Sequence, residues 1–149
     1  QAFALWIAQA LRSHARGDAA VLGLVQPEVI KKAVSEGFEP ARVAVMTDYR
    51  VKHADSEGHK ADGAALSEDQ YKSLAANFAK PEAIYWLPDS NCALYILPDP
   101  NPDYCVFMFL SLPAREKNAM KKIGRYDGVI TAYRKERMAL MDTRKERLK

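Results

Sequence analysis

A chain of 149 residues suits one domain around a single core. Its hydrophobic share of 48% and charged share of 28% exclude disordered and fibrous classes. No apolar run nears the roughly 18 residues of a spanning helix, so no membrane partner is expected. The net charge of +3 is modest but uneven. The last 35 residues, Arg115 to Lys149, carry twelve basic and five acidic side chains, a surplus that a phosphate-bearing partner rewards through counterion release. A solvated tail of mixed charge is the plainer reading of Lys135 to Lys149.

In chain order, Phe3, Trp6, Ile7, Ala10 and Leu11 recur at helical spacing and predict an amphipathic lead-in helix. The start QAFALWIAQALRSHARG has no basic leader with a cleavage site and opens within a helical pattern, as expected of a segment from a longer chain. In VQPEVIKKAVSEGFEP, Pro27 opens a short helix to about Glu36 that Gly37 can close. The β-branched run ARVAVMT predicts a core strand that delivers the chain to a polar loop, DYRVKHADSEGHKADG, holding two histidines. Ser67 and Gln70 form a capping-box signature for one helix with Tyr71, Leu74, Ala75 and Phe78 on its apolar face, ending before Pro81.

Next come EAIYWL, ALYILP and CVFMFLSL, separated by PDSN and DPNPD, which predict an antiparallel meander. Pairing Leu97 with Tyr104 sets Cys105 against Ile96 and Cys92 against Phe109, so a cross-strand disulfide is disfavoured. After the basic stretch PAREKNAMKKIGRYDG, GVITAYR predicts a final strand with Val129, Thr131 and Tyr133 on one face and Ile130, Ala132 and Arg134 on the other. Helices first and strands later point to an α+β fold, with N-terminal helices packed on a mainly antiparallel sheet of about five strands. The expected divisions are 1–20 as lead-in helix, 21–134 as the α+β domain, and 135–149 as a basic helix or connector. No GxGxxG or GxxxxGK[ST] motif occurs, so no nucleotide-binding fold is argued.

The order VAVMTDYRVKHADSEGHK, then ANFAKPEAIYWLPDSNCALYILPD, then DGVITAYR, resembles the phage barnase/EndoU/colicin/RelE-like nuclease domains attached to Mu-type minor head proteins. The resemblance spans roughly Val21 to Tyr133, and its most specific block, Ala79 to Trp86, is structural. It implies a nuclease-like fold and a site at a histidine after the first strand, a nearby lysine and a Thr-Ala-Tyr strand; His53, Lys60, Thr131 and Tyr133 match those places. The family often has an arginine between histidine and lysine, where this sequence has Ser56.

These residue types suit metal-free RNA cleavage, in which a base takes the 2′-hydroxyl proton and an acid protonates the leaving oxygen. His53 and His59 have the residue chemistry for those jobs. Lys60 or Arg134 can offset phosphoryl charge, and Thr131 and Tyr133 hydroxyls can position the phosphate. Lys121, Lys122 and Arg125, with Arg134, are candidate RNA-binding cations. No metal and no small-molecule cofactor is expected, because the spacing of Asp48, His53, Asp55 and His59 matches no metal motif. Each assignment has a plainer rival: histidines in a solvated loop, Thr131 and Tyr133 as strand formers, His14 as a surface residue, and Trp6, Trp86, Phe107 and Phe109 as core.

The resemblance thus implies an endoribonuclease-like domain with RNA as partner, in the virion or host cytoplasm. The alternative is a catalytically silent virion module contacting capsid, portal or DNA. A nicotinamide-dinucleotide transferase ranks last for want of a late Gln/Ser-x-Glu loop.

Overall fold

The computed structural model describes residues 2–55, 63–114, 124–142 and 145–149. Its elements run α1 (Ala2–Arg12), β1 (Ala19–Leu24), α2 (Pro27–Ser35), β2 (Val43–Thr47), α3 (Asp48–Ala54), α4 (Glu68–Lys72), α5 (Leu74–Ala79), β3 (Ala83–Trp86), β4 (Cys92–Pro98), β5 (Tyr104–Ser111) and β6 (Asp127–Glu136). A 3-10 turn over Arg137–Asp142 and β7 (Glu146–Arg147) complete the chain.

The fold is α+β, with a sheet of seven strands rather than five, ordered β1-β2-β6-β5-β4-β3-β7. Every described pair is antiparallel except β2 with β6. The two unforeseen strands are its edges. In AAVLGL the alternation is broken by Gly23, where the pairing with β2 shifts register, so β1 lacks the periodic signature of a strand. At the other edge, the stretch read as a basic helix or connector carries the end of β6, the 3-10 turn and then β7, which pairs with β3. Two residues are too short for any periodicity to register.

The main core lies between the helices and one sheet face. Val29, Ala33, Met46, Val51, Tyr71, Phe78, Trp86, Tyr95, Met108 and Ala132 all belong to it. A smaller cluster occupies the opposite, back face, where Leu94, Ile96, Cys105 and Phe107 pack with Phe109, Tyr133 and Leu140. Strand alternation produces this division: Tyr95 and Leu97 look toward the helices, while Leu94 and Ile96 look away.

Three local details differ from expectation. The β4–β5 hairpin pairs Leu97 with Val106, not Tyr104. Asp99 accepts from Asn101 N and Asn101 accepts from Asp103 N, so the side chains wind the turn through five residues. The shift is two residues, which leaves each side chain on its expected face. Cys92 now opposes Ser111 and Cys105 opposes Pro98, and neither cysteine is in a disulfide. The single helix expected after Ser67 is two, meeting at Ser73, although the Ser67–Gln70 capping box is present.

The largest difference follows β2. DYRVKHA is a helix, α3, rather than a polar loop; Thr47 Oγ1 accepts from Arg50 N, and Val51 and Ala54 are buried beneath it. A threonine cap and two apolar residues three apart are enough for about two turns when the core lies below.

Candidate functional site

His53 sits in the last turn of α3 with its side chain exposed. Lys52 Nζ donates to Leu11 O at 2.8 Å, fastening α3 to α1. At the start of α3 the buried Asp48 accepts from Arg16 N at 2.7 Å and from Gly17 N and Asp18 N at 3.2 Å each. Its carboxylate therefore shapes the turn entering β1. A cavity of about 350 Å³ lies beside it, lined by Trp6, Gln9, Ser13, His14 and Arg16 among others. Among the described residues, no group of three His, Cys, Asp or Glu side chains is placed to hold a metal ion.

Thr131 and Tyr133 lie on the other side of the sheet. Strand β6 pairs Val129 with Leu110 but Thr131 with Phe109, so Ile130 is an extra, bulged residue. A bulge reverses the facing of everything beyond it. Val129 and Ala132 face the helices, whereas Tyr133 joins the back-face cluster. This corrects the expected grouping of Val129 with Thr131 and Tyr133. The Tyr133 ring stacks on Phe109 with centroids 6.1 Å apart, and burial raises its phenol pKa. Thr131 Oγ1 is buried without a hydrogen-bond partner among the described residues. The structure therefore does not gather Thr131 and Tyr133 with His53, since α3 packs on the helical face. His59, Lys60, Lys121 and Lys122 lie outside the described residues.

The remaining candidate cations are committed internally. Arg125 bridges to the Glu39 carboxylate at 3.4 Å and also donates to the Glu39 carbonyl. Arg134 forks onto Asp99, Nε to Oδ2 at 2.8 Å and Nη2 to Oδ1 at 3.2 Å, with its guanidinium 4.5 Å from the Tyr104 ring centre. Asp99, whose side chain is only 1% exposed, also accepts from Gln70 Nε2 at 2.7 Å. Burial pushes its carboxyl pKa up, but the hydrogen bonds from Arg134, Asn101 N–H and Gln70 outweigh that and hold it below the ordinary value. Sequence reasoning missed this cluster. Its signal was the DPNPD turn, whose first aspartate must point somewhere once the prolines have removed two backbone donors.

A third buried carboxylate, Asp127, accepts from Ala41 N at 2.8 Å and Arg42 N at 2.7 Å. It locks the entry to β2 beside the start of β6, the one parallel pairing among the described strands. Burial raises its pKa against those bonds.

Among the described residues no helix is long and apolar enough to cross a membrane. No family model matches the chain, and no solved structure does. Over 143 residues, 90% of its length, the chain is 31% identical to the Mu-like prophage FluMu F protein of Haemophilus influenzae. It spans 32% of that protein. The chain is thus similar, over nearly all its length, to one segment of a larger prophage protein.

Proposed function

We propose that this domain is a protein-binding module of a head-associated protein of a Mu-like phage, a barnase-type scaffold that carries contacts rather than RNA cleavage. The phage part of the reading rests on the similarity to the prophage F protein. The barnase-type part rests on the sequence resemblance.

One observation carries the choice of binding over cleavage. In-line attack by a 2′-hydroxyl needs the acid, the base and the phosphate-positioning groups around one phosphorus, within hydrogen-bond reach of about 3 Å. The Ile130 bulge turns Thr131 and Tyr133 to the back face, while His53 rides on α3 over the helical face. Of the described candidate cations, Arg134 is forked onto the buried Asp99, whereas Arg125 makes only an exposed bridge to Glu39.

Incubation of the domain with diverse RNAs in excess chelator, with His53→Ala in parallel, tests the reading. The expected result is no cleavage by either protein, together with capture of head proteins from the same phage by the immobilised domain. RNA cleavage that falls by the ~10²–10⁴-fold typical of a lost acid or base in the His53 variant overturns it in favour of an endoribonuclease.

A further inference from the structure

The two edges of the sheet are unlike. Strand β7 is two residues long and bears Glu146 and Arg147, the short, charged kind of edge that resists pairing. Strand β1 is six residues long, AAVLGL, with no charge and no proline. It ends the sheet, and among the described residues no strand or loop bonds to the outer backbone of Ala19–Leu24. Val21 is 58% exposed and Leu24 77% exposed, so an open backbone edge coincides with apolar side chains in water.

At its far end β1 runs into an apolar trough of about 510 Å³, where Leu24, Val25, Ile30 and Val34 meet Lys31 and Arg42. Val34 is itself 53% exposed. The trough wall thus carries two cations and no carboxylate, and neither cation has an ion-pair partner among the described residues. The Arg42 backbone is fixed there, at φ 79° with its N–H on Asp127.

We infer that β1 and this trough receive an extended segment of another protein, added antiparallel to β1, with apolar side chains at alternate positions and carboxylates at its N-terminal end. Each part of that description answers a feature. The open edge supplies main-chain hydrogen bonds, the mode of strand addition. The register shift of β1 between Val21 and Gly23 brings Val21 and Leu24, opposite Val45 and Val43, to one face, and with the trough they accept alternate side chains of the added strand. Lys31 and Arg42 stand where an antiparallel strand begins, and so select acidic residues there. A second copy of the chain fits less well. Its own β1 is led by a single carboxylate, Asp18, with Arg16 two residues before it, so it answers Lys31 and Arg42 less fully than a segment with two carboxylates.

This inference rests on the reading of the domain as a binding module and names the surface used. The probe is a capped octapeptide of two aspartates followed by alternating valine and threonine, compared with the same peptide carrying two lysines in place of the aspartates. Binding is followed by backbone amide shifts and by calorimetry. The expected result is shifts along Ala19–Leu24 and at Lys31, and at least tenfold tighter binding of the acidic peptide. Leu24→Lys, at an exposed position that the fold tolerates, should weaken binding tenfold or more. Lys31→Glu should erase the preference for the acidic peptide. Equal binding of the two peptides, shifts confined to other surfaces, or sedimentation showing a β1-mediated dimer overturns the inference. Capture of head proteins that survives Leu24→Lys leaves the binding-module reading standing and removes only this surface.

Discussion

Replacing Arg134 with methionine keeps an unbranched stem against Tyr104 but removes both guanidinium bonds to Asp99. The Asp99 side chain is 1% exposed and that of Arg134 27%, so the pair is neither a surface bridge, worth about 0–1 kcal/mol, nor a fully dry one. After the change Asp99 keeps Asn101 N at 2.9 Å and Gln70 Nε2 at 2.7 Å, half of its four donors. Hydrogen bonds to a charged group contribute about 1.5–3 kcal/mol each, and water reaching the arginine side favours the lower end. A loss of about 2–3 kcal/mol follows, or about 4–12 °C in Tm for a chain of this size. Because Asp99 titrates below its ordinary value in the folded state, the unfolded chain binds the extra proton in the window between the two values. The contribution of the pair is therefore complete above the ordinary carboxyl pKa of about 3.9 and vanishes as pH falls through the lower folded value. Urea denaturation of wild type and Arg134→Met at pH 7 and at successive points down to pH 2 measures both quantities. A difference under 0.5 kcal/mol at pH 7, or one that does not shrink in acid, refutes the reasoning.

Tyr95→Phe should cost about 1–2 kcal/mol, since the buried hydroxyl donates to Gln26 Oε1 at 2.6 Å and Gln26 in turn donates to Phe78 O at 2.7 Å; an unchanged urea midpoint would contradict it. Burial raises the Tyr95 phenol pKa strongly, so in ultraviolet titration this residue should ionise only with unfolding, and a native tyrosinate at Tyr95 would oppose that. Gly128→Ala would set a methyl 2.8 Å from Ala114 Cβ and 3.0 Å from Tyr126 Cε2, an overpacking cost of about 1–3 kcal/mol that thermal unfolding should show as a lower Tm.

The core of the sheet was legible because long apolar runs announce buried strands: of the core candidates from periodicity, Trp86 and Phe107 are buried, while Trp6 and Phe109 are half-buried. What stayed hidden was set by contacts distant in sequence. Nothing local in AAVLGL says that it pairs with β2, and nothing in DYRVKHA says that Val51 and Ala54 will find a core beneath them. The bulge matters most for function. GVITAYR reads as a simple alternation, and only the partner strand, which pairs Leu110 with Val129 and Phe109 with Thr131, shows that one residue is extra. That single residue decides whether two hydroxyls face the helix bearing His53 or the opposite side. A motif carries a catalytic assignment only when the register that aims its side chains carries over too. A bulge changes the register without changing the motif. Here Thr131 and Tyr133 are turned to the back face and Arg125 and Arg134 are paired, while the edge strand β1 lies open beside a cationic trough, and that edge is where we expect specificity to lie.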